Sequence, residues 1–134
     1  MRVKWKLWLA FALLALVAAF FAFHYILSST LSFDCAHRVL SGASSPDGQY
    51  IVTVSERSCG AVTHDYRIVS LRRRGSRFDG EDRKSWVFWM ENNPEIKVYW
   101  PERRQLTILY PSAVGKRVGV GRWEDVAVAS RESR

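Results

Sequence analysis

The 134-residue sequence predicts a mainly β protein carried on an N-terminal transmembrane α-helix, the β part being a small antiparallel meander or sandwich-like domain. Three observations point this way. Leu7 to Leu27 is an uncharged apolar run, and beyond Cys35 short β-branched and aromatic stretches alternate with turn residues. The two cysteines, Cys35 and Cys59, both follow the run. The expected organisation is a leader at 1–6, a membrane helix at 7–27, a linker at 28–44, a β domain at 45–130 and a frayed tail at 131–134.

At about 1.5 Å per helical residue, the run from Leu7 to Leu27 spans roughly the 30 Å of a bilayer's hydrocarbon layer. A cleaved signal peptide is the competing reading. Its apolar stretch is shorter, about 7 to 15 residues, and ends at a small-x-small site, whereas this run ends in Phe23, His24, Tyr25, Ile26 and Leu27. Lipidation of Cys35 is disfavoured because Asp34 precedes it where a small residue is needed. A soluble helix that is apolar on every face would need a large protein around it.

Arg2, Lys4 and Lys6 precede the run without an acid, and cations beside a span favour the cytoplasmic side. Trp5, Trp8 and Tyr25 suit the two interfacial belts. The expectation is a single-pass inner-membrane protein with its N-terminus inside and its C-terminal domain in the periplasm. Those leader cations account for nearly half of the formal net charge of +7, so the remainder is only modestly basic. Such a surface suits anionic headgroups or acidic envelope polymers, and for an external domain nucleic acid is not an expected partner.

Two cysteines on the oxidising side fit one disulfide between Cys35 and Cys59. Closing a loop of about 25 residues would contribute roughly 3 kcal/mol. Zinc is the weaker alternative: His37 and His64 could complete four ligands, but the spacing lacks a C-x2-C pair.

Ser45-Pro46-Asp47-Gly48 reads as a tight turn, because Pro presets φ and Gly relieves strain at the last position. Tyr50 to Ser55 then alternates, with Tyr50, Val52 and Val54 on one face. Tyr66 to Leu71 is a second strand, followed by a charged tip over Arg72 to Ser85. Trp86 to Met90 is continuously apolar and reads as the central, most buried strand. Asn92-Asn93-Pro94 breaks it, and Ile96 to Trp100 with Leu106 to Tyr110 reads as a hairpin. Gly115, Gly119 and Gly121 predict a loop before a last strand near Val126 to Ala129. Helical stretches that would indicate βαβ units are missing between these strands. The phrase Ser-Pro-Asp-Gly-Gln-Tyr also occurs at propeller blade entries, but this domain has room for barely two blades.

The stretch SPDGQYIVTVSERSCGAVTHDYRIVSL, with the later IKVYW, LTILYP and W-x-D-V-x-V, resembles small bacterial membrane-anchored envelope proteins carrying an SPDG-x-Y…R-x-C-G-A-x-T signature. The resemblance covers roughly Cys35 to Val128 and is most specific over Glu56 to Thr63. It implies a shared β domain and structural roles for Cys59 and Gly60. It implies no activity.

Candidate chemistry is sparse. His64-Asp65 with a serine would be a hydrolase triad, but no G-x-S-x-G elbow accompanies it. Adjacent Glu56 and Arg57 would face opposite ways in a strand, so each is expected to pair across strands. His24 is an ionisable group inside the apolar run and so a possible intramembrane polar site. Ala15-x3-Ala19 and Ala18-x3-Ala22 have the spacing of close-packed helix pairs. Arg72, Arg73, Arg74 and Arg77 form the densest basic cluster, a candidate contact for anionic surfaces or simply a solubilising hairpin tip. Trp86, Trp89, Trp100 and Trp123 are a binding platform or core. No cofactor, metal or catalytic set is expected. The favoured reading is a non-enzymatic domain that binds another envelope protein or an anionic envelope component, with an envelope hydrolase as the alternative.

Overall fold

The computed structural model describes residues 2–30, 35–61, 63–113 and 115–134, in two compact units divided at Asp34. Residues 31–34 of the expected linker and Val62 of the signature block lie outside the described residues.

The first unit is the helix α1, Arg2–Thr30. Its segment Val3–Ser29 is long and apolar enough to cross a membrane, and none of its most apolar window is buried against protein. The helix runs past both expected ends because the leader contains no helix breaker. At the other end the hydroxyls of Ser28 and Ser29 donate to carbonyls three or four residues back, at 2.9–3.1 Å.

Among the described residues the second unit has nine strands: β1 (Ala36–Ser44), β2 (Tyr50–Ser58), β3 (Tyr66–Arg73), β4 (Trp86–Glu91), β5 (Lys97–Glu102), β6 (Gln105–Pro111), β7 (Arg117–Gly119), β8 (Arg122–Trp123) and β9 (Val126–Ser133). They form a five-stranded sheet in the order β1-β2-β3-β4-β7 and a four-stranded sheet in the order β5-β6-β9-β8. Both sheets contribute to one core. Val52 and Val54 of β2, Val69 and Leu71 of β3, and Phe88 and Met90 of β4 meet Leu106 and Ile108 of β6 and Val126 and Val128 of β9. The domain is thus a mainly β, two-layer structure, as the sequence predicts.

The SPDG turn forms as expected. The Gly48 amide donates to the Ser45 carbonyl, Gly48 takes φ +71°, and Asp47 accepts from the Ser45 hydroxyl at 2.7 Å and the Gln49 amide at 3.1 Å. The Tyr50, Val52, Val54 face is the core face, and the β5–β6 hairpin is present. Pro101 is accommodated because β5 is an edge strand.

Five expectations change. Residues 36–44, expected as linker, form β1, paired with β2 from Ala36↔Ser58 to Ser44↔Ile51. Its mostly exposed edge position removes the alternation that would reveal it. The most central strand of the first sheet is β3, not β4. The Trp86–Met90 run is continuously apolar for a different reason: the register against β3 shifts between Val69 and Ser70. Val87 and Phe88 therefore both pack inward, while Trp86 and Trp89 line a cleft. The glycine stretch contains the short strand β7 and is followed by β8, in place of the expected loop running up to the last strand. The tail is not frayed, since β9 continues to Ser133, whose hydroxyl donates to the Tyr110 carbonyl at 3.2 Å. Finally, antiparallel pairing holds throughout the first sheet, but β9 lies parallel to β6. The connection between them supplies β7 to the other sheet instead of crossing over as a helix.

Candidate functional site

Register brings a set of side chains together that are far apart in sequence. On the first sheet Arg57 of β2 stands opposite Tyr66 of β3, and Trp89 of β4 stands opposite Val118 of β7. With Trp86 and Arg83 they line a cleft of about 330 Å³. Tyr66 meets Trp89 edge to face, with ring centroids 5.4 Å apart. The Trp86 ring has the guanidinium of Arg57 at 6.0 Å and that of Arg83 at 5.6 Å, and the Lys116 ammonium lies 5.8 Å from Trp89. The site is an aromatic hollow with a cationic border.

The β3–β4 connection contributes Arg83 to the lining and fixes Arg57 and Trp86 from behind. Glu81 accepts from Arg57 Nε at 3.1 Å and lies 2.7 Å from His37 Nε2, so strands β1 and β2 hold this connection down together. His37 and Arg57 keep the Glu81 carboxyl below the usual carboxylate range. Gly80 lies so close to the His37 ring that a Cβ would fall 2.4 Å from Nδ1. Its carbonyl accepts the Trp86 indole N–H at 3.1 Å, fixing the ring. Asp82 accepts the Lys84 amide at 3.2 Å and opens the short turn Arg83–Ser85 that presents Arg83.

A second polar network lies where the SPDG turn meets the other sheet. The Tyr50 hydroxyl donates to Asp125, while Arg104 lies over the Tyr50 ring at 4.8 Å and bridges toward Asp47 at 3.6 Å and Asp125 at 3.4 Å. Asp125 is held below the usual carboxylate range by the Tyr50 hydroxyl, and Asp47 by the Ser45 hydroxyl and the Gln49 amide. Tyr50 is pushed up by the hydrogen bond to Asp125 and by burial. Because it links β2 and the SPDG turn of one sheet to the β5–β6 and β8–β9 turns of the other, this network serves as an inter-sheet latch.

The residues singled out from sequence are scattered. Cys35 and Cys59 are disulfide-bonded, Cα atoms 4.1 Å apart, tying the start of β1 to the end of β2. His37 is therefore engaged with Glu81, and His64 is exposed on a separate loop with the half-buried Asp65 beside it. The arginine cluster disperses: Arg72 donates to the Ser76 carbonyl, Arg73 pairs with Glu124 at 2.8 Å, and Arg74 approaches Gly48, leaving Arg77 exposed. Glu56 pairs across strands with Arg38 at 2.9 Å, as expected of the Glu56-Arg57 pair. His24 lies on α1 with its ring 6.3 Å from Phe20. Trp100 and Trp123 pack against the core and donate to the carbonyls of Ala43 and Lys84. Of the four tryptophans only Trp86 and Trp89 line the cleft. Tyr66, Arg83 and Lys116 were not foreseen; Arg83 lies three residues before Trp86, but nothing local reveals that Tyr66 and Lys116 join them.

Compared with known protein families, with curated proteins and with solved structures, the chain finds no match.

Proposed function

We propose that this is a single-pass inner-membrane protein whose periplasmic β domain is a non-enzymatic binding module, with the Trp86–Trp89 cleft as its recognition surface. The cleft carries the reading. It is a concave, mixed aromatic and cationic site of about 330 Å³, within the range of small-ligand sites. The apolar helix and the Cys35–Cys59 bond support a membrane tether and an oxidising compartment. Binding is the favoured reading because the lining of aromatic, aliphatic and arginine side chains can hold a ligand by packing, cation–π contact and charge.

Two measurements test this. Protease added to spheroplasts is expected to remove a tag placed after Arg134, and the cellular protein is expected to retain its first residues. A protected tag, or a mature chain beginning after Leu27, overturns the anchored arrangement. A photocrosslinker at the exposed Val120, at the cleft border, is expected to capture a reproducible adduct in cells. Capture that is equally strong from an exposed position on the other sheet, such as Glu102 on the edge strand β5, would remove the cleft from the proposal.

A further inference from the structure

Building on the reading of the β domain as an external binding module, we propose that the cleft takes an anionic sugar unit, a uronate-type residue of an acidic glycan. Its ring would lie against Trp86 and Trp89, and its carboxylate would bind Arg83.

Size limits the occupant first. A hollow of about 330 Å³ accommodates one or two ring units rather than a helix or a folded partner surface. The lining favours a flat body with apolar C–H faces, since Tyr66, Trp86 and Trp89 are each only half-buried and present aromatic surface.

Charge decides the rest. Arg57 is neutralised by Glu81, but among the described residues neither Arg83 nor the Lys116 ammonium forms an ion pair, and both are exposed. The neighbouring carboxylates of Asp82 and Glu91 are directed to the backbone amides of Lys84 and Lys116 and not to these side-chain cations. The Arg83 guanidinium therefore stands beside the Trp86 ring with its charge unpaired by a carboxylate contact. A carboxylate on a guanidinium makes a charge-assisted, bidentate pair that a neutral sugar cannot make.

An extended peptide fits less well. It would add along the open flank of β7, the edge of the first sheet, and not across the Trp86 and Trp89 rings on the face of the sheet. A flat anionic bilayer fits less well too, because these cations lie beside the rings of a concave hollow.

The test is a calorimetric titration of the full chain in nanodiscs of zwitterionic lipid. The probes are tetragalacturonate, its uncharged methyl ester, inorganic phosphate and glycerol phosphate, the last standing for a lipid headgroup. Tetragalacturonate is expected to bind saturably, with the ester and the Arg83→Gln variant each about tenfold weaker and Lys116→Gln intermediate. An unchanged urea midpoint for Arg83→Gln would show that the fold is intact. Equal binding of the ester, binding indifferent to Arg83→Gln, a response confined to phosphate or glycerol phosphate, or no binding at all would each overturn the proposal. In those cases a cleft-specific protein adduct at Val120 would still leave the binding module standing, so the two readings fail separately.

Discussion

The Glu81 carboxylate lies 2.7 Å from Nε2 of His37, joining the β3–β4 connection to the edge strand β1 across 44 residues of sequence. Arg57 shares the same carboxylate from β2. Since the same connection holds the Trp86 indole through the Gly80 carbonyl, Glu81→Gln is expected to weaken both attachments, costing about 1 kcal/mol in urea unfolding and broadening the Trp86 indole resonance. An unchanged midpoint and a sharp resonance would mean that the connection holds without this bond.

Gly80→Ala tests the same connection by steric means. The added methyl would meet the His37 ring at 2.4–2.9 Å, so a loss of about 1–3 kcal/mol is expected. Combining it with His37→Ala is expected to recover part of that loss, giving strong non-additivity in a double-mutant cycle. Simple additivity would place the strain elsewhere.

The titrating groups set opposite limits of pH. Asp47, Glu81 and Asp125 are held low in the folded domain, so the stability they contribute is present above the unfolded carboxylate range near about 4 and is lost as pH falls through their folded values. Tyr50 is raised, so its contribution is present below about 10 and is lost as pH rises through its folded value. Unfolding followed across pH is expected to show both limbs. Tyr50→Phe is expected to remove the alkaline limb attributable to this residue and to leave the acid limb from Glu81; persistence of an identical alkaline limb would assign it to another group.

Reduction of Cys35–Cys59 releases a constraint spanning 24 residues. The chain-entropy model gives a loss of about 3 kcal/mol. Because Ala36↔Ser58 and His37↔Arg57 are the first pairs inside the bond, hydrogen exchange is expected to rise first there. Protection unchanged at His37 after reduction would contradict this.

Local chemistry made much of the fold legible. The SPDG turn, the alternation from Tyr50 to Val54, the β5–β6 hairpin and the cysteine pair each depend on neighbouring residues or on simple counting. What stayed hidden depends on tertiary context. β1 is largely solvent-exposed at an edge, and β7 is exposed along its whole length, so neither carries a burial pattern. The run from Trp86 to Met90 reads as doubly buried, yet its register shift gives its tryptophans to a half-open surface. For the site, the tryptophans could be named as candidates and Arg83 lies close to Trp86 in sequence, but the nearness of Arg57 and Lys116 follows from strand order, which periodicity does not encode. The Arg72–Arg77 cluster illustrates the converse: cations adjacent in sequence diverge to separate partners.

The placement of β9 between β6 and β8 has a consequence for biogenesis. As the polypeptide emerges in vectorial order, Leu106 and Ile108 are made well before Val126 and Val128 arrive to cover them. A product terminated anywhere upstream of Val126 would leave β6 with a bare inner flank and greasy side chains open to water. Quality-control proteases would meet such a fragment as an aggregation-prone half sandwich, whereas the longer chain closes on itself.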